Sequence, residues 1–149
     1  MPCRAAIVTA CDVRSDEDVA RVFAEVAETF DGGLDLLVHS VAYAAADDLE
    51  GRFTDTPRDR FWLALDVTAY SQVACARAPE PLMEARSGGA VVTMTYPGGE
   101  RAVPHYNVMG VAKSALDSSV KRKVTVPVGS SGRTRGSSVD NEQRARRRA

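Results

Sequence analysis

Long apolar runs are absent from this chain of 149 residues. No stretch approaches the ~18 to 20 consecutive apolar residues of a membrane span, and a transmembrane reading is excluded. The opening MPCRAAIVTACD is too short and too soon acidic for a secretory signal, which points to the cytoplasm. Cysteine is equally scarce. Cys3, Cys11 and Cys75 are odd in number and form no CxxC, so neither a disulfide framework nor a thiolate zinc site is implied. His39 and His105 have no partners at ligand spacing, which excludes a metal site. Leu, Ile, Met and aromatic residues are missing altogether from residues 121–149, KRKVTVPVGSSGRTRGSSVDNEQRARRRA. Such a segment cannot bury enough surface to offset the entropy of ordering it, and it reads as a disordered low-complexity tail.

Charge divides the chain at the same place. The net charge of −1 conceals 10 basic against 18 acidic residues in 1–120, and 9 basic against 2 acidic in 121–149. Residues 1–120 therefore form the candidate domain, and the remainder a basic tail.

Within 1–120 the elements alternate. Residues 5–9 (AAIVT) are a short apolar run. Ser15 with Asp18 three positions on signals a helix start, followed by Val19, Val22, Phe23, Val26, Ala27 and Phe30 as one apolar stripe. Asp31-Gly32-Gly33 ends that helix. LDLLVHS (34–40) is too short and too continuously apolar for an amphipathic helix, as expected of a strand buried on both faces. VAYAAADDLEGRFTDT (41–56) reads as a loop, with Asp47, Asp48 and Glu50 on its solvated surface. Thr56-Pro57 supplies an N-cap and a first-turn proline for a helix running to about Arg86, with Phe61, Leu65, Val73 and Leu82 on its face and interruptions at Pro79 and Pro81. Ser87-Gly88-Gly89 closes it, AVVTMTY (90–96) is a third strand, and Pro104 opens a helix to about Val120. The order β-α-β-α-β-α predicts an α/β fold, an incomplete Rossmann-like fragment of a doubly wound parallel sheet.

Tyr106 and Lys113 lie seven residues apart on the last helix. Seven residues turn through about 700°, so phenol and ammonium share a face ~10 Å apart along the axis. A phenol can hydrogen-bond a developing oxyanion, and a lysine can hold sugar hydroxyls. On spacing alone, a Tyr and a Lys on one helix face are as readily two structural residues. Asp12 is likewise open as a turn residue, Ser40 as a loop hydroxyl and Tyr96 as a half-buried strand residue.

From Cys11-Asp12-Val13, through LDLLVHSVAYA and LALDVTAYS, to VVTMTYPGGERAVPHYNVMGVAKSAL, the chain resembles the central part of an NADH-dependent enoyl-acyl-carrier-protein reductase of the short-chain dehydrogenase/reductase superfamily, over about residues 7–120. Most of that superfamily places Tyr four residues before Lys, where this chain has Met109; the Tyr-x6-Lys spacing with a second tyrosine ten residues earlier is the enoyl reductase pattern. The resemblance implies that Tyr106 donates a hydrogen bond to the thioester carbonyl oxygen, stabilising the enolate formed when NADH delivers hydride to the β-carbon of an acyl-carrier-protein-linked enoyl chain. It implies that Lys113 holds the nicotinamide ribose, that Tyr96 lines the substrate pocket, that Asp12 and Val13 contact adenine, and that Ser40, Val41 and Ala42 form part of the dinucleotide floor with Ala44 near the acyl substrate. Pro79, Pro97 and His105 depart from the family, which has Ala, Leu and Asn there.

The pattern also sets expectations about extent. A glycine-rich strand-turn-helix does not occur before Asp12, and with strand order 3-2-1-4-5-6 two strands that would separate residues 5–9 from 34–40 are not in the chain, leaving a gap of ~14 Å. The chain is therefore expected to be an inactive truncated or frame-shifted form of a fatty-acid-synthesis oxidoreductase. A noncatalytic partner of full-length reductase is the alternative, with a homo-oligomer formed through the helices at 57–86 and 104–120 as a further expectation. Nucleic-acid or other polyanion binding through the tail ranks below, for want of interleaved aromatics.

Overall fold

The computed structural model describes residues 6–121. The start of the first apolar run, Cys3 and the tail beyond residue 121 lie outside the described residues.

Ser15 opens helix α1 (Asp16–Thr29) as its N-cap, the hydroxyl accepting the Asp18 N–H at 3.1 Å, and three acidic residues occupy the first turn, where the helix dipole favours them. The helix stops where Asp31 and Gly32 take positive φ (53° and 70°) and the Gly32 N–H reaches back to the Ala27 carbonyl at 2.8 Å. Strands β1 (Leu36–His39) and β2 (Ala90–Thr93) pair in parallel, Leu36 beside Ala90 and His39 beside Thr93. Between them run α2 (Arg58–Leu65), a π turn (Asp66–Tyr70), α3 (Ser71–Arg77) and α4 (Glu80–Ala85). Pro79 caps α4 and separates it from α3, and Ser87 and Gly88 end α4 with φ of 66° and 128°. After β2, a 3-10 turn (Pro97–Gly99) leads to α5 (Asn107–Val120).

Several expectations need correction. Among the described residues, 6–10 join no strand and Val8 is 92% exposed, because both described strands pair only with each other. The two strands are not buried on both faces. Leu37, His39, Val91 and Thr93 face the helices, whereas Leu36, Val38 and Val92 stand about half exposed on the other side. The third strand ends at Thr93 rather than at residue 96. Thr56 is not the N-cap of α2: its N–H and hydroxyl both donate to the Phe53 carbonyl, closing a 3-10 turn (Phe53–Asp55), and Pro57 itself is the N-cap of α2. The long helix also contains the π turn, closed by the Ser71 N–H on the Asp66 carbonyl. The additional residue in that turn rotates α3 by about 100°, so Val73 faces out and Ala74 and Ala76 face in. Asp48 is buried, with Arg60 at 3.4 Å, and is not surface.

The core joins α2 to α5. Ala64, Val108, Met109 and Ala112 are buried together, with Ala44, Leu49, Phe61, Leu65 and Tyr106 packed around them. This packing fixes α5 beside the ends of the strands. Among the described residues no helix is long and apolar enough to cross a membrane.

Candidate active site

Tyr106 does not lie inside the last helix. His105 takes φ of +59°, which breaks the helical path, and Tyr106 becomes the N-cap of α5 with φ of −138°. Two contacts fix this start: Asn107 Nδ2 donates to the Glu50 and Gly51 carbonyls at 2.8 and 3.2 Å, and His105 Nδ1 lies 2.6 Å from the Glu50 carboxylate. The Tyr106 ring is tilted against that of Tyr96, centroids 4.9 Å apart at 51°. Burial pushes the Tyr106 phenol up from its usual value, with the nearby Tyr96 adding to the shift. The group is therefore protonated throughout the physiological range, a hydrogen-bond donor and not a base.

Lys113, two turns along α5, is 7% exposed. One of its three N–H bonds goes to the Met94 carbonyl at 2.9 Å, just past the end of β2, and among the described residues the other two have no acceptor and are left for a ligand. Burial lowers its pKa, with Asp117 opposing. Met94 N–H in turn donates to the His39 carbonyl, so Lys113 reads the alignment of both strands.

The segment after β1 is tied to the π turn. Tyr43 N–H donates to the buried Thr68 hydroxyl at 3.2 Å, which sets the path of Ser40, Val41 and Ala42; Ser40 and Ala42 are exposed, and Ala44 turns toward the core. Asp12 is placed otherwise. Its carboxylate accepts two bonds from the Arg14 guanidinium and one from the Arg14 backbone N–H, which hold its pKa down at about 2, while its own N–H donates to Asp18 at 2.8 Å. Arg14 belongs to the turn before α1 and Asp18 to its first turn, and the Asp12 carbonyl accepts the Ser15 N–H at 3.0 Å, so carboxylate and backbone of Asp12 are both engaged in starting the helix. Val13, beside it, is half-buried. The structure thus brings Tyr96, Tyr106 and Lys113 together around the turn after β2 and leaves Asp12 in a separate turn.

His39 was set aside in the sequence for want of metal partners, yet it is 3% exposed at the end of β1. Its Nε2 lies 2.8 Å from the Ser71 hydroxyl, whose own hydrogen goes to the Val67 carbonyl at 2.6 Å. Ser71 must then accept, which fixes the Nε2–H tautomer. Burial lowers the His39 pKa and Lys113 lowers it further. A histidine whose folded pKa is depressed binds fewer protons folded than unfolded, so stability falls as pH drops from about 6.5 toward the folded value. Melting temperature should decline between pH 7 and 5, and His39→Gln, which keeps a donor for Ser71 but cannot titrate, should flatten that decline. Equal slopes in the two proteins would contradict the assignment.

Comparison with known proteins adds to this geometry. The family described as Enoyl-(Acyl carrier protein) reductase matches residues 2–131. The NADH-dependent enoyl-acyl-carrier-protein reductase of Aquifex aeolicus is 47% identical over 115 residues, 77% of this chain and 42% of that protein. The NADPH-dependent enzyme of Staphylococcus aureus is 46% identical over 110 residues, 74% of this chain and 42% of its own length. Among solved structures, the Bacillus cereus reductase with NADP+ and an indole naphthyridinone superposes with a TM-score of 0.74 at 42% identity, covering 80% of this chain and 46% of that one. The Anaplasma phagocytophilum reductase in complex with NAD gives 0.71 at 43% identity, covering 76% and 42%. The chain spans less than half the length of these relatives.

Proposed function

The chain belongs to the enoyl-(acyl carrier protein) reductase family, and from that premise we propose that its residues 7–120 carry part of the site that reduces the trans-2 double bond of an enoyl thioester on acyl carrier protein with NADH. The observation that carries the reading is the grouping of Tyr96, Tyr106 and Lys113 where two parallel strands end, the place where open α/β sheets bind their ligands.

The residues present suit the nicotinamide end of a dinucleotide. Among the described residues Lys113 has two N–H donors left for ribose hydroxyls, and Ser40 and Ala42, just past the end of β1, are exposed. The dinucleotide, when bound, supplies hydride for the β-carbon of the substrate. Tyr106 then donates its hydrogen bond to the thioester oxygen as negative charge gathers there, and the nearby Lys113 charge favours the same enolate. Tyr96, 47% exposed against the Tyr106 ring, lines the acyl side, with Ala44 below. Asp12 and Val13 flank the adenine from the turn before α1, which the Asp12 bonds to Asp18 and Ser15 hold in place.

A second copy of the chain suits another face. Trp62, Tyr70 and Val73 are exposed along α2 to α3 beside a cleft of about 700 Å³ that also reaches Ser119 of α5, and sedimentation velocity reads such association directly.

The test of the cofactor reading is an NADH titration of the 15N-labelled chain. Among the described residues no glycine-rich turn presents helix N–H groups to a pyrophosphate, so binding should be weak, in the millimolar range. The amides of Ser40, Val41, Ala42 and Lys113 should shift first. Shifts confined to the Trp62–Val73 face would overturn the reading, and micromolar affinity would mean that another segment of this chain holds the pyrophosphate.

A further inference from the structure

The 3-10 turn that separates Tyr96 from Tyr106 sits unusually close to α5. An added Cβ at Gly99 would lie 3.0 Å from the Lys113 carbonyl carbon and the Ser114 nitrogen, and one at Gly110 would lie 3.0 Å from the Gly98 oxygen. The Ser114 hydroxyl closes the approach with a hydrogen bond to the Gly99 carbonyl. Gly98 is different in kind. It is buried, and its neighbours are the two tyrosines rather than the helix backbone: an added Cβ would meet Tyr106 Cε1 at 2.5 Å, Cδ1 closer still, and Tyr96 Cδ1 at 3.2 Å. Neither Gly98 nor Gly99 has a positive φ, so conformational freedom does not call for glycine there. Contact does.

We propose that Gly98 is a positioning residue for the site: the missing side chain is the seat of the Tyr106 ring, and it sets the Tyr96–Tyr106 geometry before any ligand arrives. This rests on the reading of Tyr106 as the donor to substrate. A ring seated in this way cannot settle toward the turn, and an Ala at 98 must drive it outward by rotation of the Tyr106 side chain, because a methyl group and the ring carbons cannot share the same space. The 4.9 Å pairing with Tyr96 then opens. Gly99 serves as the contrast. Substitution there presses first on the Asp117 carboxylate, 2.8 Å away, and on the α5 backbone at 3.0 Å, rather than on a ring.

The test is made on the full chain with 13Cζ-labelled tyrosine and needs no turnover. Gly98→Ala should move the Tyr106 resonance and bring its phenol titration, now raised by burial, back toward the ordinary value near about 10. It should also lower the melting temperature by roughly 5 to 20 °C, the range expected for overpacking a filled site. Gly99→Ala should lower the melting temperature while leaving the Tyr106 resonance and titration unchanged. In a Tyr106→Ala background the ring is gone, and Gly98→Ala should cost less than half of what it costs in the parent. If Gly98→Ala alone does not fold, recovery of folding in the double variant supports the same conclusion. An unmoved Tyr106 titration, an equal cost in both backgrounds, or a double variant that also fails to fold would overturn the proposal. A seated ring with no enoyl reduction in a complete reductase would instead count against the proposed function, so the two failures are distinguishable.

Discussion

Tyr106→Phe should lower turnover of a trans-2-enoyl thioester by about 10²- to 10³-fold while leaving NADH affinity nearly unchanged, measured in a chimera that carries residues 7–120 in place of the matching segment of the Aquifex aeolicus reductase. The substitution keeps the ring on Gly98 and against Tyr96, and removes only the O–H that meets developing enolate charge. Because burial holds that phenol protonated, the loss is of a donor and should be nearly independent of pH around neutrality. Lys113→Ala should differ in kind. It removes a charged donor from a nearly closed site, so NADH binding should weaken by about 10- to 100-fold together with catalysis. Met109→Tyr should rescue neither variant, since Met109 points into the buried cluster with Ala64 and Val108. The ordering of effects is what counts: turnover intact in Tyr106→Phe and abolished in Tyr96→Phe would assign the donor to the other ring.

The parts of this fold that were legible in sequence are those decided within a few residues. Ser15 announces α1 because its hydroxyl caps an N–H three positions on, and Asp31-Gly32 and Ser87-Gly88 announce helix ends because left-handed backbone is cheap at such residues. Pro79 divides α3 from α4 for an equally local reason. The π turn has no such signature. Its partners are Tyr43 and His39, 25 and 32 residues away from Thr68 and Ser71, and the helical stripe read across it placed Val73 on the wrong side.

The same distinction runs through the site. Tyr106 and Lys113 could be found from their spacing together with family resemblance, since both sit on one element. The helix start could not, because the break at His105 depends on Glu50 and Gly51 holding His105 and Asn107 from a distant loop. Asp48 looked solvated among acidic neighbours until Arg60 of α2 reached it. Gly98 and Gly99 read alike as turn glycines, and only their neighbours in space separate a residue facing the two rings from one facing helix backbone. Strand burial failed for a related reason: an apolar run reports which residues can be covered, whereas the covering of Leu36, Val38 and Val92 depends on what packs against that face.

The proposed function assigns to residues 7–120 part of the groups for hydride addition to an enoyl thioester and for stabilising the enolate that follows. The most direct measurement is the fate of deuterium from [4,4-2H2]NADH in the unsubstituted chimera supplied with a trans-2-enoyl thioester. One deuterium should appear at the β-carbon of the saturated product for each NADH oxidised, with a solvent hydrogen at the α-carbon, and Tyr106→Phe should slow the rate of labelling without changing its position. A folded, NADH-binding chimera that leaves the thioester unsaturated, or that forms product without deuterium at the β-carbon, would contradict the account.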